Sequence, residues 1–213
     1  KIEWDLAEAE KQGYDHFMLK EICEQPESLC DTIRGRVKAD EGIAVLGGIR
    51  DFGDRLRDIR NITIVACGTA FYAGLVGEYM LEGYGGVSTE VEYASEFRYR
   101  SPVLDPKSSV LLAISQSGET ADTLAAIREA KRRGVLSLGI VNAVGSTIAR
   151  ETDAGVYNHA GPEIGVASTK AFTSQLAVFA LLSIFLGRQR QMSEATGQRL
   201  AKALQQIPGQ VEA

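Results

Sequence analysis

The chain has 213 residues, of which 45% are hydrophobic, and its formal net charge at pH 7 is −5. This composition predicts a packed core and excludes a wholly disordered chain, and the acidic balance argues against nucleic acid as a general partner. Three cysteines, an odd and sparse set, indicate a reducing compartment, the cytoplasm, and argue against a disulfide scaffold. The spacing of Cys23 and Cys30 matches no common zinc pattern, so no metal site is expected.

Residues 1–45 are predicted to form a linker and a helical arm. Apolar residues recur with helical spacing over residues 17–25, and Pro26 then interrupts the pattern. Because proline suits the first turn of a helix, a second helix is predicted over Glu27–Lys38, and a short charged helix over Asp51–Ile59.

Residues 46–190 alternate between strand and helix patterns. Strands are predicted over residues 62–67, 87–93, 110–114, 136–141 and 154–159, and helices over residues 71–81, 96–100, 120–133, 146–150 and 169–186. This alternation predicts an α/β fold, a three-layer doubly wound sandwich around a five-stranded parallel sheet. Residues 191–213 form a last segment with an amphipathic helix over residues 193–206. The most apolar stretch, residues 176–186, is too short to cross a bilayer and is expected to be a core helix, so no membrane partner is expected.

The hexapeptide Ser115-Gln116-Ser117-Gly118-Glu119-Thr120 is the strongest functional signal in the chain. It lies between a buried strand and an amphipathic helix, where the free N–H groups of a first helical turn and the helix dipole favour an anion. A helix cap needs one hydroxyl, whereas three hydroxyls, a glutamine and a glycine stand here. We therefore predict a phosphate site, and Gly118 is included among its binding residues because it can take the backbone angles that bring N–H groups together. The glycine pattern matches neither a Walker loop nor a dinucleotide fingerprint, so no nucleotide cofactor is expected.

Two further turns follow strands and are expected at the same edge of the sheet. Cys67-Gly68-Thr69-Ala70 precedes one helix, and by itself it is also typical of an ordinary strand-to-helix turn. Residues 161–170 precede the long apolar helix, and Ser168 or Thr169 is predicted to cap it. Glu163 and Lys170 could serve as acid and base, or could form a loop salt bridge.

These motifs together resemble the sugar isomerase (SIS) domain family. The pairing of Cys67-Gly68-Thr69 with Ser115–Thr120 carries the resemblance. The arm motif His16–Ile22, the following Glu24-Gln25-Pro26 and the run Glu163–Thr173 are similar to the isomerase half of the glutamine–fructose-6-phosphate aminotransferases. The likeness runs from about Trp4 to the end of the chain.

The resemblance implies the first SIS subdomain of an enzyme that converts fructose-6-phosphate and glutamine into glucosamine-6-phosphate and glutamate. Its partners would be a sugar phosphate, a glutaminase domain, a second SIS subdomain and a second copy of the enzyme. It implies that the phosphate is held by Ser115, Gln116, Ser117 and Thr120. It also implies that the sugar is lined by Thr69, the position of Ala70, and Val166, with Ser168 nearby.

The chain departs from the family pattern at Cys23, which replaces a usual tyrosine of the arm, and in two respects that bear on the site. Ala70 stands where the family usually has a serine that contacts the sugar. The family's lysine, glutamate and histidine for ring opening and proton transfer lie in the second SIS subdomain, so no catalytic residue is assigned to this chain. We expect a fragment, or one half of a split enzyme, that binds sugar phosphate weakly and is inactive alone.

Two alternatives stay open at this point. One is a related sugar-phosphate deaminase or isomerase without a glutaminase domain, and the other is a regulatory module that senses a sugar phosphate. The arm motif favours the aminotransferase, and no basic helix-turn-helix region accompanies the motifs. The helix over residues 169–186 could be core or could form part of a homodimer interface.

Overall fold

The computed structural model describes residues 10–213. The first part of the predicted linker, residues 1–9, lies outside the described residues. The arm consists of α1 (Phe17–Cys23), α2 (Gln25–Ile33) and a hairpin of β1 (Val37–Lys38) and β2 (Ile43–Ala44). A 3-10 helix (Gly47–Phe52) and α3 (Gly53–Asp58) lead from the hairpin to the sheet.

The predicted α/β fold is confirmed, with a five-stranded sheet that is parallel throughout. Its strands are β3 (Asn61–Ala66), β4 (Ser88–Tyr93), β5 (Ser109–Ser115), β6 (Leu136–Val141) and β7 (Ala154–Tyr157), in the order β4-β3-β5-β6-β7. The helices between them are α4 (Thr69–Met80), which continues into a π-helix (Leu81–Gly85), α5 (Ala94–Phe97), α6 (Ala121–Arg132) and α7 (Thr147–Glu151). The chain ends with α8 (Lys170–Gln189) and α9 (Glu194–Glu212).

The sheet is covered on both faces, which explains why its central strands are apolar throughout. In β5, Val110, Leu112 and Ile114 face one hydrophobic cluster, while Leu111 and Ala113 face the other. The first cluster includes residues of α8 and the arm, and the second includes residues of α5, α6 and α7. This alternation gives the three layers that the sequence predicts.

The second arm helix is shorter than the predicted Glu27–Lys38. It ends at Ile33, and Gly35 follows with φ +69°, a left-handed angle that stops a helix and suits glycine. The Arg36 guanidinium then donates to the carbonyl oxygens of Thr32 (3.1 Å) and Tyr157 (2.8 Å). This interaction ties the turn to the end of β7, so Lys38 lies in the hairpin.

Helices α8 and α9 are the longest in the described part of the chain. Among residues 10–213, α8 is the one helix long and apolar enough to cross a membrane, and 72% of its apolar stretch is buried inside the protein. It packs against α2, α4 and α9, as a core helix does. The last helix begins where Ser193 accepts a hydrogen bond from the Thr196 N–H, and it runs six residues past the predicted end at Gln206.

Candidate functional site

The strand order creates a crevice at the carboxyl edge of the sheet. From β3 the chain crosses to β4 on one side, whereas β5, β6 and β7 lie on the other side. The loops that leave β3 and β5 therefore diverge, and ligands of open α/β sheets bind at such a point. A cleft of about 240 Å³ opens there, lined by Cys67, Thr69, Ala70, Ile114, Ser115, Gln116, Ser117, Thr120, Glu163, Gly165, Val166, Ser168 and Gln175.

Eight of the nine residues predicted to bind substrate line this one cleft. They are Thr69, Ala70, Ser115, Gln116, Ser117, Thr120, Val166 and Ser168. The ninth, Gly118, is buried behind the cleft wall. The structure thus brings the three predicted turns together; whether these residues bind a ligand stays a prediction.

The hexapeptide folds into a compact cradle whose hydroxyl oxygens accept local hydrogen bonds. Ser115 Oγ accepts from the Gly118 N–H at 2.9 Å, and Ser117 Oγ accepts from the Glu119 N–H at 3.2 Å. Ser115 Oγ also lies 3.1 Å from Thr120 Oγ1. Because these contacts use the oxygens mainly as acceptors, hydroxyl protons remain that can be donated to a ligand in the cleft.

The alternative of a simple helix cap does not account for these hydroxyls. Thr120 is the residue before the first turn of α6, and its side chain makes no capping hydrogen bond. The amide groups of that turn are therefore left for water or a ligand. The N-terminus of the 12-residue helix α6, the positive end of its dipole, is therefore open toward the cleft.

Gly118 gives the cradle its shape. It has φ +69°, and its carbonyl oxygen accepts a hydrogen bond from the Ile148 N–H at 2.9 Å. A β-carbon at this position would overlap Oγ and Cβ of Ser146 and would lie 2.9 Å from Val141 Cγ1. The position therefore requires glycine for two independent reasons.

The turn after β3 provides a second helix terminus beside the cradle. Gly68 precedes α4 with φ +58°, and its carbonyl oxygen accepts a hydrogen bond from the Phe71 N–H at 3.0 Å. No side chain caps α4 at this position. Thr69 and Ala70, the first two residues of α4, are half-buried at the cleft, so this turn contributes one hydroxyl rather than the two the family resemblance implies.

The third loop, residues 158–169, has to pass the end of β6 to reach the cleft, because β7 is the edge strand. Asn142, which directly follows β6 and is buried, holds it there. The Asn142 side chain accepts from the Ala160 N–H at 2.9 Å and donates to the Gly161 carbonyl oxygen at 2.7 Å. This crossing explains the length of the loop and its two glycines and proline.

The roles predicted for the ends of this loop are corrected by the structure. Neither Ser168 nor Thr169 caps α8. Instead the Glu163 carboxylate accepts from the N–H groups of Thr169 (2.8 Å) and Ala171 (3.1 Å) and from the Ser168 hydroxyl (2.8 Å). Lys170 pairs with Glu24 of the arm at 2.7 Å rather than with Glu163.

The electrostatics of the cleft come from dipoles and not from cations. Among residues 10–213, no lysine, arginine or histidine lines it. Glu163 already neutralises the dipole end of α8, so the open helix termini are those of α4 and α6. Just outside the cleft, hydrogen bonds from Thr147 hold the pKa of Glu119 below its ordinary value, which keeps this carboxylate ionised and fixed against α7.

Three cleft features were missed by the sequence analysis. Gln175 of α8 is 2% exposed, lines the cleft and has a buried Oε1 without a hydrogen-bond partner. Cys67, which directly follows β3, is half-buried and lines the cleft. Glu21 of α1 is 2% exposed and bonds the loop from behind. Gln175 lies five residues past Lys170 in the predicted helix, which is a weak signal, and nothing local identifies Glu21.

The chain belongs to the SIS domain family, whose model matches residues 55–184. Its sequence is similar to those of glutamine–fructose-6-phosphate aminotransferases (isomerizing): 51% identical over 211 residues to the one from Chlorobaculum tepidum and 50% over 213 residues to one from Thermus thermophilus. These matches cover 99% and 100% of this chain and 34% of each relative, so the chain spans about a third of their length.

Solved structures share this fold. The C-terminal domain of glucosamine-fructose-6-phosphate aminotransferase from Francisella tularensis superposes with a TM-score of 0.86 at 39% identity, over 94% of this chain and 56% of that one. The sugar isomerase domain of an RpiR transcription factor from Sphaerobacter thermophilus reaches 0.60 at 17% identity over 91% and 98%, which shows a shared fold alone.

Proposed function

We propose that this chain is the first sugar-phosphate-binding SIS subdomain of an enzyme that converts fructose-6-phosphate and glutamine into glucosamine-6-phosphate and glutamate. One observation carries the proposal: Ser115, Ser117 and Thr120 converge at the uncapped start of α6, opposite Thr69 at the uncapped start of α4. Hydroxyl and amide donors around an open dipole end are suited to a phosphate group.

The remaining wall of the cleft is suited to the sugar that carries the phosphate. Gly165, Val166 and Ser168 lie beyond the cradle, where a molecule held by its phosphate would extend. Fructose-6-phosphate, glucose-6-phosphate and glucosamine-6-phosphate all fit this description. The similarity of about 50% to aminotransferases favours this enzyme over a deaminase or a sugar-sensing regulator, for which the structural likenesses are 22% identical or less.

We place the chemistry outside this chain. The cleft contains no lysine or histidine from residues 10–213, and Glu163 has its carboxylate committed to the start of α8. A glutaminase domain that releases ammonia and a second SIS subdomain with the proton-transfer groups complete the proposed enzyme. Isomerase turnover by the 213-residue chain alone would contradict this assignment.

We further propose a cytoplasmic homodimer. Helix α8 is mostly buried within the chain, so it leaves little surface for an interface. The exposed aliphatic and aromatic side chains of α4, Tyr72, Val76 and Tyr79, form a better candidate surface, since they recur on one helix face beside the cleft. A monomer in sedimentation velocity at high micromolar concentration would contradict the dimer.

Removing cradle hydroxyls tests the phosphate assignment. Ser117→Ala and Thr120→Val each delete one donor, and a hydrogen bond to a charged group contributes about 1.5–3 kcal/mol. Each variant is therefore expected to bind both fructose-6-phosphate and inorganic phosphate roughly tenfold or more weakly in calorimetric titration. Thr123→Val is the matched control, because Thr123 lies on the same helix, is buried and has an unpartnered hydroxyl outside the cleft. Indifference of the two cradle variants to ligand would contradict the site.

Restoring a hydroxyl at residue 70 tests the sugar end. Ala70 is half-buried and lines the cleft, and the family resemblance implies a serine contact there. Ala70→Ser is expected to strengthen fructose-6-phosphate binding by about 1 kcal/mol, roughly fivefold, and to change inorganic phosphate binding little. The same titration measures both; an unchanged or weaker sugar affinity would show that residue 70 does not contact the sugar.

A further inference from the structure

The arm places a buried carboxylate directly behind the loop that forms the sugar end of the cleft. Glu21 is 2% exposed, and its Oε1 accepts hydrogen bonds from the N–H groups of Ile164 (2.6 Å) and Gly165 (3.1 Å). Its other oxygen, Oε2, also lies 3.1 Å from the Gly165 nitrogen. These residues are more than 140 positions apart in the sequence.

The loop is shaped to receive this carboxylate. Two consecutive N–H groups that point to one side form a small anion-binding concavity, and Glu21 fills it. A β-carbon on Gly165 would lie 2.6 Å from Glu21 Oε2, so the carboxylate has room in its present position only beside a glycine. A buried carboxylate is tolerated only when it is hydrogen-bonded in this way.

Glu21 bonds to the part of the loop that faces the cleft. Gly165, Val166 and Ser168 line the cleft, and Val166 itself is fully exposed, without neighbours that pack around its side chain. Glu163 holds the far end of the loop, from Ser168 to the start of α8. The position of Val166 in the cleft therefore depends on the contact between Glu21 and the backbone next to it.

We propose that Glu21 is a positioning residue that sets the sugar-facing wall of the cleft, so that the arm governs sugar recognition without touching the ligand. The inference rests on the proposed function, since it assigns the loop to the sugar and the cradle to the phosphate. Loss of Glu21 leaves residues 115–120 in place, because α6, α7 and the sheet hold the cradle independently of the arm.

The experiment compares two ligands on matched variants of the same chain. Glu21→Ala and Glu21→Gln are titrated with fructose-6-phosphate and with inorganic phosphate, and thermal unfolding identifies the variants that fold. Glu21→Ala is expected to bind fructose-6-phosphate about tenfold more weakly while its affinity for inorganic phosphate stays within twofold. Glu21→Gln, which keeps one acceptor oxygen, is expected to fall between the wild type and Glu21→Ala.

Two further variants make the result decisive. Glu27→Gln changes an exposed carboxylate of the arm, whereas the N–H groups of Ile164 and Gly165 bond to Glu21, so this variant is expected to match the wild type with both ligands. Gly165→Ala disturbs the same contact from the loop side, and it is expected to reproduce the selective loss even where Glu21→Ala fails to fold. Equal weakening of both ligands, or no change in either, in a folded Glu21→Gln and Gly165→Ala would overturn the inference. A wild type that binds neither ligand would instead contradict the proposed function.

Discussion

Gly118→Ala is expected to abolish phosphate binding and to lower the free energy of unfolding by about 3 kcal/mol or more. An alanine at φ +69° costs about 1–2 kcal/mol, and forcing an atom into a filled space adds about 1–3 kcal/mol. The added methyl group overlaps the Ser146 side chain, so either α7 or the cradle has to move. Because Gly118 bonds both Ser115 and Ile148, that movement displaces the hydroxyls that face the cleft.

Gly145→Ala separates the cost of the positive φ angle from the cost of steric overlap. Gly145 has φ +72°, almost the same angle, but its β-carbon would meet nothing within 4 Å. This control is expected to lose only the conformational part, about 1–2 kcal/mol, and to bind phosphate normally. Urea unfolding and calorimetric titration of both variants give the comparison. Equal losses in the two variants would show that contact with Ser146 does not constrain the cradle.

Glu24→Gln is expected to destabilise the fold by about 2–3 kcal/mol. Glu24 lies 3.3 Å from Lys20 Nζ and 2.7 Å from Lys170 Nζ, and the side chains of these lysines are only 2% and 5% exposed. Removing one partner of a buried ion pair leaves an uncompensated charge, which typically costs about 3–5 kcal/mol. The lower figure is expected here because Glu24 is itself 23% exposed.

Glu41→Gln provides the exposed counterpart of this change. Glu41 pairs with Lys38 at 3.2 Å, but both side chains are more than half exposed. Such surface pairs contribute about 0–1 kcal/mol, so the control is expected to unfold close to the wild type. Urea denaturation at low ionic strength measures both variants. If the two variants lost similar stability, the arm would not depend on the buried cluster.

Local patterns in the sequence were sufficient to predict the fold and most of the residues that line the cleft. Apolar strands, helical periodicity and the hydroxyl-rich turn are properties of neighbouring residues, so the strands, the layers and the cradle could be predicted. The end of α2 was also marked locally, by Gly35, but the helical pattern continues through this glycine and hides the signal.

What could not be predicted depends on residues far apart in the sequence. The order of the strands, and hence the path of residues 158–169 across the end of β6, follows from packing of whole elements. The contacts of Glu21 with Gly165 and of Glu24 with Lys170 span 144 and 146 positions. Even the cap of α8 comes from Glu163, six residues before the N–H of Thr169, instead of from an adjacent hydroxyl.

The lack of a cationic side chain in the cleft, among residues 10–213, has a consequence for how a ligand arrives and leaves. Charges attract over a Debye length, about 8 Å at physiological ionic strength, whereas hydrogen bonds act only at contact. In a chain of net charge −5, no long-range attraction would therefore steer a phosphate to the cradle. Under the proposed function, recognition would depend on fit at close range, and a ligand held without a counter-charge is expected to exchange rapidly.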